Sequence, residues 1–377
     1  MKLLLVSPFH GGSHKVWAEG LSKHCRTDVR LLTLPGRFWK WRMHGGAVTL
    51  AERFLGSPWR PDLIMATDML DLASFLALTR RETAAIPSVL YCHENQLTYP
   101  MPDNPEGNRN PARAEKTDHH YAFINISSML AAERIIFNSD YHRREFLAAL
   151  PAYLRQFPEF RLPGTPAIIR NKSAFIYPGI EGSPNPPLPS GRNSSGPPLI
   201  LWNQRWEYDK NPGEFFAALA ELKAEGFRFR LAVCGEQFSK KPGEILRALE
   251  LMDSELIHCG YADAREYRSL LAEADIVLST AVHEFFGIAI LESILHRTFP
   301  VLPHRLSYPE LLPREFHGRC LYRNRAEMLA LLRRALLHPD QAAETAERIR
   351  LSLGDRFSWG NLSPSYDQLF RDILDAS

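Results

Sequence analysis

Two glutamates separated by seven residues, with a Phe-Gly turn between them, are the side chains of this sequence best placed to do chemistry. They lie in His283-Glu284-Phe285-Phe286-Gly287-Ile288-Ala289-Ile290-Leu291-Glu292, directly after the strand-like run Asp275–Thr280. Phe286-Gly287 reads as a turn that opens a helix. Amide hydrogens at a helix start, helped by the helix dipole, favour an anion, so Phe286, Gly287 and Ile288 are candidates to hold a diphosphate. Glu292, about a turn and a half into that helix, suits ribose hydroxyls as a charged acceptor. Glu284, in the loop, lies nearer a sugar. The competing reading is a loop and an amphipathic helix with solvated acids; the position at a strand's carboxyl end favours the functional one.

A second constellation is Trp202-Asn203-Gln204-Arg205-Trp206-Glu207-Tyr208-Asp209-Lys210-Asn211-Pro212. Arg205 and Lys210 are cations suited to a diphosphate leaving group; the plain alternative is a surface ion pair with Glu207 or Asp209. In Phe9-His10-Gly11-Gly12-Ser13-His14, Gly11 and Gly12 let backbone approach a ligand closely before a helix start. The spacing is not GxGxxG, so a nicotinamide fingerprint is excluded, and a simple tight turn stands equal to a ligand turn. In Tyr91-Cys92-His93-Glu94-Asn95-Gln96-Leu97, four polar side chains follow a buried strand. That is costly unless they line a cleft, which makes His93 a site candidate and Glu94, Asn95 and Gln96 acceptor-binding candidates. The second histidine of the zinc motif HExxH is missing. His119 and His120 are adjacent, point apart on a helix and have no third ligand at metal spacing. Finally, Arg37, Phe38, Trp39, Lys40, Trp41 and Arg42 interleave cations and aromatics. Stacking on unpaired bases and a helix with aromatics inward are even alternatives there.

The elements that must position these residues follow from hydrophobic periodicity. Short apolar runs at Lys2–Phe9, Val29–Leu34, Asp62–Thr67, Ser88–His93 and Ile135–Asn138 alternate with amphipathic stretches such as Ser13–His24 and Asp118–Glu133. This is the pattern of buried parallel strands in βαβ units. Residues 182–198 are nearly all turn formers and read as a linker. Alternation then restarts at Leu199–Asn203, Phe229–Cys234, Leu256–Gly260, Asp275–Thr280 and Thr298–Leu302. The expectation is two doubly wound α/β domains, 1–181 and 199–357, facing a central cleft, with ligands outside the carboxyl ends of the strands. Residues 1–180 carry 22 Lys/Arg against 16 Asp/Glu, and the whole excess sits in the first fifty residues, a weak hint of a polyanionic partner. The five cysteines contain no CxxC pair, which argues against a disulfide framework or a zinc ribbon. No run of eighteen apolar residues occurs, so no membrane span and a cytoplasmic location are expected.

The Glu-x7-Glu pattern with its Phe-Gly resembles the retaining glycosyltransferases of the GT-B fold, and the Arg205/Lys210 pair sits where that class holds its donor diphosphate. More closely, FHGGSHKVWAEGL, LTLPGRFWKWRMHGGA, YCHENQLTYP, IIFNSDYHRREFL, WNQRWEYDKNP and STAVHEFFGIAILE resemble the queuosine-tRNA mannosyltransferases. The resemblance implies transfer of mannose from GDP-mannose to the cyclopentenediol of queuosine in the tRNA-Asp anticodon, with retention and without a bound metal. It implies Glu284, His93, Arg205 and Lys210 as the catalytic set, and a last helix, 358–377, that crosses back to the first domain. Two other readings stay open: a GT-B enzyme with another donor and a lipid, polysaccharide or small-molecule acceptor, and a catalytically silent nucleotide-sugar or RNA-binding protein.

Overall fold

The structure, a computed structural model, describes residues 1–100, 119–181, 196–235 and 243–376. Most of the expected linker, 182–198, and the polar segment 102–117 lie outside the described residues. The chain divides into two compact units, Met1–Glu181 with Asp355–Ser377, and Gly182–Gly354.

The first unit is built on six parallel strands: β1 (Lys2–His10), β2 (Asp28–Pro35), β3 (Leu63–Thr67), β4 (Ser88–Cys92), β5 (Arg134–Phe137) and β6 (Ser173–Phe175). They lie in the order β2-β1-β3-β4-β5-β6. Its central strands β3 and β4 are buried along their whole length because both sheet faces are covered, yet period two survives inside the runs. Leu4, Val6, Ile64, Ala66 and Leu90 face a core with Leu50, Phe54, Phe75 and Ile126. Leu3, Leu5, Met65 and Tyr91 face Trp17 and the last helix.

That last helix, Trp359–Asp375, starts at Ser358, whose side chain accepts from the Asn361 amide, and Ser358 bridges Ile180 in parallel. Tyr366 accepts from the Trp17 indole at 3.1 Å, and Asp367 accepts from Thr27 Oγ1 at 2.9 Å and from the Arg26 amide at 3.0 Å. Trp359 is 1% exposed. It fills a slot between two glycines: a Cβ at Gly20 would come within 2.4 Å of its ring, and one at Gly179 within 2.2 Å.

The second unit has β7 (Leu199–Asn203), β8 (Arg230–Cys234), β9 (Leu256–Gly260), β10 (Ile276–Leu278), β11 (Phe299–Pro303) and β12 (Leu321–Tyr322), in the order β12-β11-β10-β7-β8-β9. Each pairing in both sheets is parallel. The expected strands are present within one or two residues. The short β6 and β12 were not anticipated, since two or three residues carry no period. In a doubly wound sheet ligands gather where the strand order reverses. Those points are β1/β3 in the first unit and β7/β10 in the second.

No helix among the described residues is long and apolar enough to cross a membrane. All five cysteines are free, and only Cys259 is exposed.

Candidate functional site

In the second unit, the segments leaving β7 and β10 converge. Asp209 and Lys210 form a single 3-10 turn, Tyr208–Lys210, which Thr280 ties down by donating to the carbonyls of Lys210 and Asn211 at 3.0 Å each. Lys210 is 6% exposed and Asp209 fully buried. The Lys210 ammonium lies 3.2 Å from Glu284 Oε2, 3.1 Å from Asp209 Oδ2, and donates to the His283 carbonyl at 2.9 Å. The surface pairing that sequence left open for Lys210 is therefore real, but it is an interior triad, not a solvated contact. Burial opposes the ammonium, yet Glu284 and Asp209 outweigh it and hold Lys210 above the ordinary lysine value. Burial likewise opposes the Glu284 carboxylate, while Lys210 and the Phe286 amide hold it below the ordinary glutamate value. Both charges are thus kept in a place where either alone would be expelled. Burial, with Lys210 next, pushes His283 down to about 4, so this ring is neutral.

Glu284 Oε1 accepts from the Phe285 and Phe286 amides at 3.1 and 3.3 Å, which fixes the turn before Gly287. Gly287 has φ +90°, and a Cβ there would meet Leu311, Tyr308 and Glu284 at 3.3–3.5 Å; conformation and space both call for glycine. It caps the helix Ile288–Leu295, whose first turn offers amides that no carbonyl within the helix can take. Glu292 follows one turn later, half-buried, and accepts from Tyr267 Oη at 2.8 Å. Arg205 is the outlier: its side chain is 45% exposed and lies 3.6 Å from Glu207, so the open pairing is realised at the surface. Its charge is still close enough to act against that of Lys210. A buried cation, a second, exposed cation and a helix start beside the strand ends are the elements needed to receive a diphosphate and stabilise the charge that grows on it as a leaving group.

In the first unit, the ends of β1, β3 and β4 meet. His93 sits against His14 (ring centroids 4.2 Å), Trp17 (4.7 Å) and Tyr91 (4.9 Å). Its Nε2 is buried without a hydrogen-bond partner among the described residues. Burial, then His14 and His142, pushes the imidazole well below the ordinary histidine value, leaving a neutral ring with an unanswered nitrogen, a state that asks for a ligand. The His93 amide donates to Asp68 Oδ1 at 2.8 Å. Asp68, buried at the end of β3, was missed in the sequence; its signal was an acid directly after the mainly apolar run Leu63–Thr67. Burial, and then Glu94, raise its carboxyl well above the usual range.

Asn95 is a correction. It was expected to line an acceptor site, but it is fully buried and its amide is consumed within the loop. Oδ1 accepts from the Leu97 and Thr98 amides, and Nδ2 donates to Thr98 Oγ1 and to His142 Nε2. Since Nε2 accepts, Nδ1 of His142 carries the proton and donates to Asn138 Oδ1 at 2.8 Å, while Asn138 donates to the His93 carbonyl. Gln96 is also buried: its amide hydrogen goes to Asn125 and its side chain to Glu94. The polar cost after β4 is met by a framework that fixes His93, and of the four polar residues His93 and Glu94 are partly exposed while Asn95 and Gln96 are buried.

Gly11 and Gly36 touch backbone to backbone, since a Cβ on Gly36 would lie 2.6 Å from Gly11 Cα. The crossing of two chain segments therefore explains Gly11. Gly12, at φ +50°, has open space around it at the start of the helix Gly12–His24. The adjacent His119 and His120 part as their spacing required, His119 onto Tyr153 and His120 onto His44.

For Arg37–Arg42, the inward-aromatic alternative fails. Phe38 is 71% and Trp41 63% exposed; only Trp39 turns in, onto Tyr121 at 5.2 Å. Phe38 stands at φ +55° ahead of the helix Trp39–Leu55. The Trp41 ring lies against Gly45, Arg37 lies 5.8 Å from the Phe38 ring and Lys40 5.5 Å from Trp39, and Arg42 is anchored on the Pro35 carbonyl.

Comparison with known proteins accords with these features. A family model described as tRNA-queuosine alpha-mannosyltransferase N-terminal matches residues 2–180, and one for glycosyl transferases group 1 matches residues 189–351. The chain is 30% identical to the tRNA-queuosine alpha-mannosyltransferase of Drosophila melanogaster, covering 98% of this chain and 96% of that protein. Among solved structures, Anabaena Alr3699/HepE in complex with UDP superposes with a TM-score of 0.69 at 16% identity over the whole of both chains. The sucrose-phosphate synthase of Thermosynechococcus elongatus superposes at 0.70 with 14% identity, again over the whole of both. The fold is thus GT-B, the chain is a glycosyltransferase, and by its relation along nearly its full length it belongs to the tRNA-queuosine alpha-mannosyltransferase family.

Proposed function

We propose that this enzyme transfers mannose from GDP-mannose to the cyclopentenediol of queuosine in the anticodon of tRNA-Asp, with retention of configuration, without a divalent metal and in the cytoplasm. The observation that carries the reading is the buried Lys210–Glu284 pair beside the free amides of the Ile288–Leu295 helix. The fixed Lys210 ammonium, the helix-start amides and the neighbouring Arg205 charge offer a diphosphate the donors that a metal would otherwise supply. In this reading Lys210, Arg205 and the amides at the start of the Ile288–Leu295 helix stabilise the GDP leaving group, and the Gly11-Gly12 turn offers backbone to the nucleotide sugar. Glu284 orients sugar hydroxyls, Glu292 the ribose, and His93 Nε2 accepts from a hydroxyl of the sugar or the acceptor. The leaving phosphate oxygen takes the acceptor proton, so no acid/base pair of the glycosidase kind is required. Mannose as the sugar is supported by the family relation.

The test is transfer of radiolabelled mannose from GDP-mannose to queuosine-containing tRNA in the presence of EDTA, with tRNA lacking queuosine as control. Label on the modified tRNA alone is expected. Label only when divalent metal is restored would overturn metal independence, and no label from a folded protein would move the reading to another donor or to a lipid, polysaccharide or small-molecule acceptor.

Phe38 and Trp41 between Arg37, Lys40 and Arg42 supply a stacking platform for unpaired anticodon-loop bases. The double variant F38A/W41A is expected to raise the KM for tRNA by roughly tenfold or more, at about 1–3 kcal/mol per stacked base, while GDP binding stays unchanged. An unaltered KM would remove this face from the acceptor site.

A further inference from the structure

The Glu292 carboxylate is not held by its own helix. It is held by a chain of donors whose direction can be worked out atom by atom. Asn203, the last residue of β7, has its Nδ2 within 2.8 Å of the Ala289 carbonyl. A carbonyl only accepts, so this atom is the amide nitrogen, with one hydrogen on that carbonyl and a second shared between its other two neighbours. One of those is Tyr267 Oη, at 3.0 Å; Ser293 Oγ, at 2.9 Å, is another. With its oxygen already accepting from Asn203, Tyr267 has a single proton to give, and that proton points at Glu292 Oε2, 2.8 Å away. The relay therefore runs Asn203 to Tyr267 to Glu292. It links the end of β7, the helix Ala264–Glu273 and the helix Ile288–Leu295.

We infer that Tyr267 is a positioning residue for nucleotide recognition: by occupying Oε2 of Glu292 it turns Oε1 toward the ribose of a bound nucleoside diphosphate. This rests on the assignment of Glu292 to the ribose under the proposed function. Two observations beyond the hydrogen bonds agree with it. Tyr267 is half-buried and Asn203 is buried, so neither hydroxyl nor amide is engaged in a merely solvated contact. Burial raises the Glu292 carboxyl, and the Tyr267 hydrogen bond works against that rise. A carboxylate fixed at one oxygen accepts from a vicinal diol with less rotamer freedom to lose than a free one.

The experiment compares GDP with 2′,3′-dideoxy-GDP by calorimetry on wild-type protein and on Y267F. Wild type is expected to favour GDP by about tenfold or more, the scale of one charge-assisted hydrogen bond. Y267F is expected to lose most of that ratio by weakening GDP alone, with the dideoxy nucleotide bound as before. A purely structural tyrosine would weaken both nucleotides equally and leave the ratio intact, and that result would overturn the inference. Should Y267F lack a cooperative melt, N203S carries the test, since it removes the donor behind the hydroxyl; it should lower the ratio in the same direction by less. An unchanged ratio in N203S would overturn the relay. If wild type binds neither GDP nor its analogue, the guanosine reading fails, and the same pair of measurements on UDP and its dideoxy analogue still decides the role of Tyr267.

Discussion

Replacing Lys210 by alanine is expected to lower the transfer rate by roughly 10²–10³-fold and to destabilise the protein by about 3–5 kcal/mol at neutral pH. The two losses share one cause. The ammonium is the cation between Glu284 and Asp209 in a site that is almost closed to solvent, so its removal leaves two carboxylates in the interior with a distant guanidinium as their substitute. The stability loss also has a pH signature. In the wild type Glu284 sits below its ordinary value of 4.5, so its contribution is complete above about that pH and disappears as pH falls through the lowered value. Without Lys210 the remaining influence is chiefly burial, which moves the carboxyl up instead. A raised acid is tolerated at low pH and costs stability as pH climbs through its shifted value. The difference between the two proteins should therefore be small near pH 4 and largest near pH 7. Urea unfolding at both pH values, together with single-turnover transfer at pH 7, measures it. A K210A enzyme with wild-type turnover would remove Lys210 from the leaving-group site, and a pH-independent gap would refute the electrostatic account of its stability role.

Trp359→Ala is expected to have the second largest effect, a loss of about 3–5 kcal/mol with no change in turnover of the folded fraction. The indole is nearly inaccessible and lies between Gly20 and Gly179, with His24 stacked 5.9 Å away and Tyr366 at 6.0 Å. Its Nε1 has no hydrogen-bond partner among the described residues, so the loss is one of packing and transfer, not of a polar contact. The glycines that made room for it have no side chains with which to refill the cavity. Denaturant unfolding decides the point, and a loss below about 1 kcal/mol would mean that the slot closes over the gap.

The architecture was legible in the sequence because the inner strands of both units are buried on both faces and read as largely apolar runs, whose ends, the short β6 and β12 aside, were placed within a residue or two. The donor-side motif was legible for a related reason: Glu284, Gly287 and Glu292 follow a strand directly and need no tertiary information to be seen as a loop and helix start. What could not be read was which polar residue of a cluster faces a ligand and which builds the scaffold. Asn95 and His93 look alike in a string of letters. Only the neighbours brought from the helix Asp140–Leu154, His142 above all, show that Asn95 is spent internally and His93 is not. Asp68 and Tyr267 were missed on the same ground, since each takes its meaning from a partner on another element. Trp41 shows the opposite case: its exposure follows from a helix phase that a six-residue stretch was too short to fix.

The return of the chain after Gly354 sets the order in which the enzyme is made. When residue 181 leaves the ribosome, the sheet of the first unit is present, but the face formed by Trp17, Leu21 and Tyr91 still lacks the helix that covers it. At ordinary translation rates the entire second unit must be synthesised first, a delay on the order of ten seconds or more. Through that interval the nascent chain carries an uncovered aromatic surface, the kind of surface chaperones hold. A chain released before Trp359 keeps it permanently, so closure of the first unit serves as proof that synthesis ran past the second.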